Sequence, residues 1–393
     1  MDKVIITPIL RGAYMEVLGG PVILLTESDE RLDLPELKID LKGVDFPEIY
    51  GSEVRAGEAD IAEKISGALN GLKIGNDSLP AGLRISGIGS FYAGADWNAA
   101  DDARKGTVER IAAIPAAGRG ESVKGRIALV TGGAQGFGAE IARGLAGAGA
   151  FVIVADINAE GAKIFADELN TGGARRALSV AVDVSKEESV KAMADTIVGE
   201  VGGMDLLVSN AGVLRAGSVL ELSASDFEFV TKINYSAFFL VVKQISPIMI
   251  RQRAAAPSAT WDIIQINSKS GLEGSNKNGA YAGGKFGGIG LVQSFAMELV
   301  EYGIKVNAIC PGNFFDGPLW SDPDRGLFVQ YLNTGKVPGA KSIGDVKKFY
   351  ENKVPMGRGC EGEDVLKAIL YCVDQAYETG QAVPVTGGQV MLK

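Results

Sequence analysis

No histidine occurs anywhere in this chain of 393 residues, which removes the commonest general base at neutral pH and a frequent zinc ligand. Any proton transfer must run through another side chain. Cysteine is nearly as scarce: Cys310, Cys360 and Cys372 are odd in number and show no metal-ligand spacing. Reduced, buried thiols are therefore expected, with neither disulfides nor a metal site. No run approaches the roughly 18 apolar residues of a membrane span, and the opening MDKVIITPILRGAY lacks the basic region and cleavage pattern of a secretory signal. A cytoplasmic protein with no membrane partner is expected. Positive charge is in deficit too. Lys and Arg number 39 against 48 Asp and Glu, a net charge of -9, so nucleic acid is not an expected partner. Residues 1–120 hold 13 basic and 19 acidic side chains, leaving 26 and 29 for the remainder. An anionic small molecule is therefore repelled less by the later part of the chain.

What is present in excess is glycine, 53 residues, set between apolar runs in a chain that is 46% hydrophobic. That pattern points to tight turns and close backbone approaches in a folded protein. Up to about residue 120, short apolar runs (Val4–Leu10, Pro21–Leu25) alternate with acidic turns, and one helix is expected near Ala56–Leu69. This region holds no catalytic constellation. Its segment Gly87–Lys105 resembles the joint in proteins that fuse a sugar-phosphate aldolase to a dehydrogenase. Such aldolases hold zinc through histidines, so a structural or oligomerisation role is expected here. Ala116–Lys124 reads as a linker, which divides the chain into an extension, 1–120, and a larger domain, 121–393.

From Gly125 strand and helix patterns alternate. Apolar strands fit Arg126–Thr131, Phe151–Ala155, Ala177–Val182, Met204–Ser209, Asp262–Asn267, Ile304–Ile309 and Ala382–Val385. Helices fit Lys186–Val201, Ser225–Arg251, Ala282–Tyr302 and Glu363–Tyr377. The fold expected is α/β: a doubly wound, parallel, seven-stranded Rossmann-type sheet with a small N-terminal α+β extension. The insertion RQRAAAPSATWD, after Arg251, reads as a surface loop.

TGGAQGFG, Thr131–Gly138, follows the first of these strands and opens a helix, where backbone N–H groups can meet a pyrophosphate. Its candidates are Gly132, Gln135, Gly136, Phe137 and Gly138. Asp156 ends the second strand, where a carboxylate can accept hydrogen bonds from an adenosine ribose and repel a 2'-phosphate, favouring NAD over NADP. The same position also suits a helix cap, a task open to Asn158 as well. Asp183 and Val184 follow the third strand, and Asn210, Ala211 and Gly212 follow the fourth. All lie at carboxyl ends of strands, where open parallel sheets bind ligands.

Tyr281 and Lys285 stand four apart, on one face of a helix. A fixed cation near a phenol favours the phenolate, which makes the pair a candidate acid/base in a chain without histidine. The spacing alone is common in helices, so its neighbours must decide. Taken with Asn234, Ser268, which precedes Tyr281 by 13 positions, and Pro311-Gly312, the motifs above resemble in order and spacing the short-chain dehydrogenase/reductase family, over about Lys124–Lys393. That resemblance implies Tyr281 as proton donor and acceptor, Ser268 on the same substrate oxygen, Lys285 on the nicotinamide ribose and beside the phenol, and Asn234 on a water linking Lys285 to solvent. It also implies a homo-oligomer, tetramer or dimer, built through Ser225–Arg251, Ala282–Tyr302 and Gly387–Lys393.

From Ile263 to Met391 the chain resembles, more narrowly, the sorbitol-6-phosphate 2-dehydrogenase branch of that family. This implies NAD-dependent interconversion of D-sorbitol 6-phosphate and D-fructose 6-phosphate, with another polyol or sugar alcohol as the alternative and a non-catalytic dinucleotide-binding scaffold as a third reading. A phosphorylated polyol needs local cations in an acidic protein. Lys269, Lys277, Arg215 and Arg358 are the candidates, Lys269 first, each also readable as a solvated surface charge. Ser270, Asn276 and Asn313 are candidates for sugar hydroxyls, and residues 314–350 for a lid.

Overall fold

The computed structural model describes residues 3–29, 31, 33–39, 52–74, 78–86, 88–115, 118, 120–324, 326–333, 335 and 337–391. Parts of the expected linker (116, 117 and 119) and tail (392 and 393) lie outside them. Seven parallel strands form the large sheet: β1 (Ile127–Thr131), β2 (Phe151–Asp156), β3 (Ala177–Ala181), β4 (Leu206–Ser209), β5 (Trp261–Ile266), β6 (Ile304–Pro311) and β7 (Ala382–Val385). Their order is β7-β6-β5-β4-β1-β2-β3. Each strand expected from an apolar run is present, because a parallel sheet covered on both faces needs apolar side chains on both. In β1, Ile127 and Leu129 join a core with Val241, Ile245 and Trp261. The alternate residues Ala128 and Val130 face Ile141, Leu145 and Ile369 on the other side.

The long helix expected at Ser225–Arg251 is instead three pieces: Ala224–Thr231, a π-helical turn at Lys232–Ser236, and Ala237–Ala255. This stretch is long and apolar enough to cross a membrane by composition, but half of its most apolar window is buried within the protein, against the sheet and the extension. Only part of the insertion is a surface loop: Pro257, Ser258 and Thr260 are exposed in the turn before β5. Arg251–Ala255 continue the helix, and Gln252, Ala255 and Ala256 are buried.

The extension covers Gln252 and Ala255. Its helix Lys3–Leu18 lies along Ala237–Ala255 so closely that a Cβ on Gly12 would sit 2.2 Å from the Gln252 carbonyl oxygen. The Gln252 amide clasps Met204, accepting from its N–H at 2.9 Å and donating to its carbonyl at 3.1 Å. Arg251 pairs with the buried Glu58 at 2.7 Å on the second extension helix, Ser52–Asn70. That helix contains the one expected at Ala56–Leu69. A small antiparallel sheet, Ile23–Glu27, Gly89–Gly94 and Gly82–Ile85, completes this region. Its Ile23, Leu25 and Tyr92 belong to the same hydrophobic core as Ile127 and Leu129, so burial of apolar surface joins the extension to the sheet.

Candidate active site

A cleft of about 730 Å³ opens along the carboxyl ends of the strands, at the point where the chain order reverses between β1 and β4. Its floor is the glycine turn. Gly132 and Gly136 have φ of +62° and +58°, a conformation side chains resist. A Cβ on Gly138 would lie 2.0 Å from the Gly132 carbonyl oxygen. The turn can therefore close only with glycine there, and it leaves the start of helix Gly136–Gly147 bare toward the cleft. Gly138 itself packs behind the wall.

Asp156 bounds one end of the cleft. Its carboxylate accepts from the Ala134 N–H at 3.1 Å and the Asn158 N–H at 2.9 Å. It braces the glycine turn and caps no helix; Asn158 does that, accepting from Gly161. Asp183 also lines the cleft, held below the ordinary carboxylate range by a hydrogen bond from Ser185, against the cost of burial, with Lys186 adding to it. Asn210 donates to the carbonyls of Thr131 at 3.1 Å and Gly132 at 3.0 Å, which ties the β4 end to the glycine turn. Val184, Ala211, Gly212 and Gly312 complete this wall with Gln135 and Phe137, while Pro311 ends β6 outside it. The Phe137 ring stacks on Phe314, centroids 4.3 Å apart, closing one side. Volume, glycine turn and terminal carboxylate fit a nicotinamide dinucleotide.

The other end of the cleft carries Ser268, Ser270 and Tyr281. Ser268 follows β5 and caps a short 3-10 turn, accepting from the Ser270 N–H at 3.1 Å. Tyr281 lies in the first turn of helix Gly279–Leu299. Burial raises its phenol above the ordinary value, partly countered by a hydrogen bond with Ser268. Lys285 is one turn further on and buried, its Nζ 5.6 Å from the Tyr281 ring centroid and donating to the Ile266 carbonyl at 2.9 Å. Burial brings its ammonium down to about 8. Desolvation dominates the phenol, and the Lys285 ammonium is directed at a backbone carbonyl.

Asn234 sits in the π-helical turn. Its amide accepts from the Val213 N–H at 3.0 Å and donates to the Val213 carbonyl at 2.7 Å. With Lys285 it lines an inner cavity of about 10 Å³, room for about one water molecule. The structure thus gathers the four candidate catalytic residues around two adjoining spaces.

Sequence reasoning missed Asn267. This buried amide accepts from the Ser268 N–H at 2.8 Å and donates to the Lys285 carbonyl at 2.9 Å, joining two candidate catalytic residues. An amide placed where an apolar strand ends, directly before Ser268, was the available signal. Of the four candidate cations, Lys269 and Lys277 line the cleft. Arg358 does not; its guanidinium grips Asp364 at 2.6 and 2.9 Å. Arg215 lies 3.7 Å from Asp226 and over the Phe229 ring, outside the cleft lining. Asn276 and Asn313 line it, as do Leu319, Trp320, Tyr331 and Tyr350 from the segment 314–350, whose aromatic rings pack into a small core of their own. Burial pushes the thiols of Cys310, Cys360 and Cys372 up to about 12, although Cys360 is only partly buried.

Residues 126–319 match the short chain dehydrogenase family model. The sorbitol-6-phosphate 2-dehydrogenase of Escherichia coli (strain K12) is 38% identical over 270 residues, covering 68% of this chain and 99% of that protein. This chain belongs to the short-chain dehydrogenase family. A crystal structure of the sorbitol-6-phosphate 2-dehydrogenase SrlD from Erwinia amylovora superposes with a TM-score of 0.61 at 40% identity, over 67% of this chain and all of that one. A 3-oxoacyl-[acyl-carrier-protein] reductase from Aquifex aeolicus (strain VF5) is 32% identical over 269 residues, 68% of this chain and 98% of that one. These matches leave the extension uncovered. The chain is accordingly a dehydrogenase whose fold is the Rossmann-type sheet of that family, plus an N-terminal region of about 120 residues.

Proposed function

We propose that this enzyme interconverts D-sorbitol 6-phosphate and D-fructose 6-phosphate with NAD, in the cytoplasm. The observation that carries the reading is the pairing, in one cleft, of the Ser268–Tyr281 site with two lysines, Lys269 and Lys277, that make no ion pair with any described residue. The identities to sorbitol-6-phosphate 2-dehydrogenases, 38% and 40%, support it. Asp156 at the ribose end favours NAD, because a carboxylate repels a 2'-phosphate.

Bound in the cleft, the dinucleotide supplies the hydride acceptor. The protein's task is to orient the carbinol and carry one proton. Ser268 would hydrogen-bond the carbinol oxygen and Tyr281 would take its proton, while a dinucleotide held by the glycine turn and Asp156 would accept the hydride. Lys285 holds positive charge beneath the ring, and Asn234 fixes the water site through which the proton passes on. Lys269, Ser270, Asn276 and Asn313 surround the polyol end. The acyl-carrier reductase relative favours a second reading, oxidation of another hydroxylated substrate on the same machinery. NADH formation measured with sorbitol 6-phosphate, free sorbitol and other polyols, each with NAD and NADP, decides between them. A homo-oligomer is part of the proposal, supported by Phe239, Phe286 and Met297 standing 45%, 47% and 76% exposed on the long helices; light scattering on the purified protein tests it.

A further inference from the structure

We propose that Lys277, with Asn278 beside it, is the element that selects a phosphorylated substrate. The inference rests on the polyol-phosphate reading of the cleft and names the residue responsible. Among the described residues Lys277 alone, glycines apart, has a left-handed backbone, φ +58°, a conformation costly for a residue with a Cβ. It is held there from a second loop: the Gly217 N–H donates to the Lys277 carbonyl at 2.9 Å, and Gly217 forms a β-bridge with Asn278. Strain of this kind persists where the surrounding structure fixes it, and it aims the residue. Lys277 is exposed at the cleft wall and has no ion-pair partner among the described residues.

Asn278 precedes helix Gly279–Leu299 but makes no side-chain capping bond. Asn278 lines the cleft, and its Oδ1, closed to solvent, has no hydrogen-bond partner among the described residues. A buried acceptor left unpaired is costly, and a shift of the Asn278 side chain toward the cleft would let a substrate hydroxyl relieve that cost. A polyol supplies such hydroxyls, and its phosphate lies at the far end of the carbon chain from the reacting carbinol. The phosphate's cation must then stand away from Ser268. Lys269 is adjacent to Ser268; Lys277 lies in the loop leading to Tyr281, beyond Asn278.

The test compares kcat and KM of the full-length enzyme, Lys277→Gly, Lys269→Ala and Asn278→Ala on sorbitol 6-phosphate and free sorbitol. Glycine keeps the left-handed backbone while removing the charge, and thermal melting checks that each variant folds. Lys277→Gly raises KM for the phosphate roughly 10- to 100-fold and lowers the preference for sorbitol 6-phosphate over free sorbitol by a similar factor. Asn278→Ala lowers kcat/KM on both substrates about tenfold. A Lys277→Gly enzyme that keeps the wild-type phosphate preference, or a Lys269→Ala enzyme that loses it, overturns the assignment and leaves the proposed function standing. A wild-type enzyme that favours an unphosphorylated polyol overturns both.

Discussion

The Arg11 guanidinium and the Asp205 carboxylate form a two-pronged ion pair, Nη1 to Oδ1 at 2.8 Å and Nη2 to Oδ2 at 2.7 Å, with both side chains almost wholly out of solvent. Arg11 belongs to the extension, and Asp205 leads into β4 while accepting from the Ile127 N–H of β1 at 2.9 Å. Removing one partner strands the other charge in the core. Arg11→Ala is expected to cost about 3–5 kcal/mol, and Arg11→Ala with Asp205→Asn less than the sum of the singles. Urea titrations of the four proteins measure this. Burial raises the Asp205 pKa, yet Arg11 and its hydrogen bonds outweigh that and hold it below the ordinary range. The stabilisation is therefore present above the unfolded carboxylate pKa and lost as pH falls through the lower folded value. Wild type should lose stability in acid more steeply than the double variant.

Tyr281 and Lys285 separate activity from stability. Tyr281→Phe is expected to lower kcat for alcohol oxidation by about 10²–10⁴ while dinucleotide binding, read by fluorescence titration, persists. Because the phenol sits above its ordinary value, wild-type oxidation should still be climbing well above neutral pH, and ketone reduction, which needs the protonated phenol, should hold until that range. Retention of oxidation by Tyr281→Phe would exclude the tyrosine as the proton acceptor.

Lys285→Met is expected to abolish turnover yet raise stability by about 1–3 kcal/mol at neutral pH, since a buried ammonium is replaced by an apolar chain. The lysine's folded pKa, about 8, lies below the ordinary 10.5, so its proton is held less tightly in the folded state. The penalty is full below about 8 and fades as pH rises toward the unfolded value. The stability gap between variant and wild type should close over that window, as seen in melting temperatures across pH.

Asp156→Ser removes the carboxylate from the ribose end and leaves a shorter acceptor near the Ala134 N–H. The ratio of kcat/KM for NAD to that for NADP should fall by about tenfold or more. Unchanged preference would move cofactor selection elsewhere in the cleft.

Asn267→Ala should lower kcat by about 10- to 100-fold with KM little changed, because it frees the Ser268 backbone and the Lys285 carbonyl from one another. Asn267→Asp, which keeps the acceptor for the Ser268 N–H and loses the donor to Lys285, should fall between the two. Steady-state kinetics on the three proteins gives the order.

The seven strands and the clustering of Tyr281, Ser268 and Asp156 were legible because they rest on local patterns: apolar runs two-sided enough for a parallel sheet, and polar residues at strand ends. The π-helical turn around Asn234 was not, since KINYS continues an ordinary helical periodicity and the bulge is set by the Val213 contacts. Nor was the fate of the insertion. Its alanines and Pro257 read as loop, yet Gln252 and Ala255 are buried against a helix some 240 residues earlier in the chain, and such a partner leaves no local trace. Lys277 offered only its charge to the reader of a sequence. Its backbone conformation depends on Gly217, on a different loop.

The pairing of Arg11 with Asp205 spans 194 positions, and this bears on synthesis. At roughly 5–20 residues per second, the N-terminal helix leaves the ribosome about 10–40 s before its ionic partner, and longer still before the helix Ala237–Ala255 against which it lies. During that interval Ile6, Ile9, Leu10 and Tyr14, all buried in the finished protein, lack the helix Ala237–Ala255 that lies along theirs. The packing of the extension is thus completed only once the dehydrogenase part of the chain has followed it.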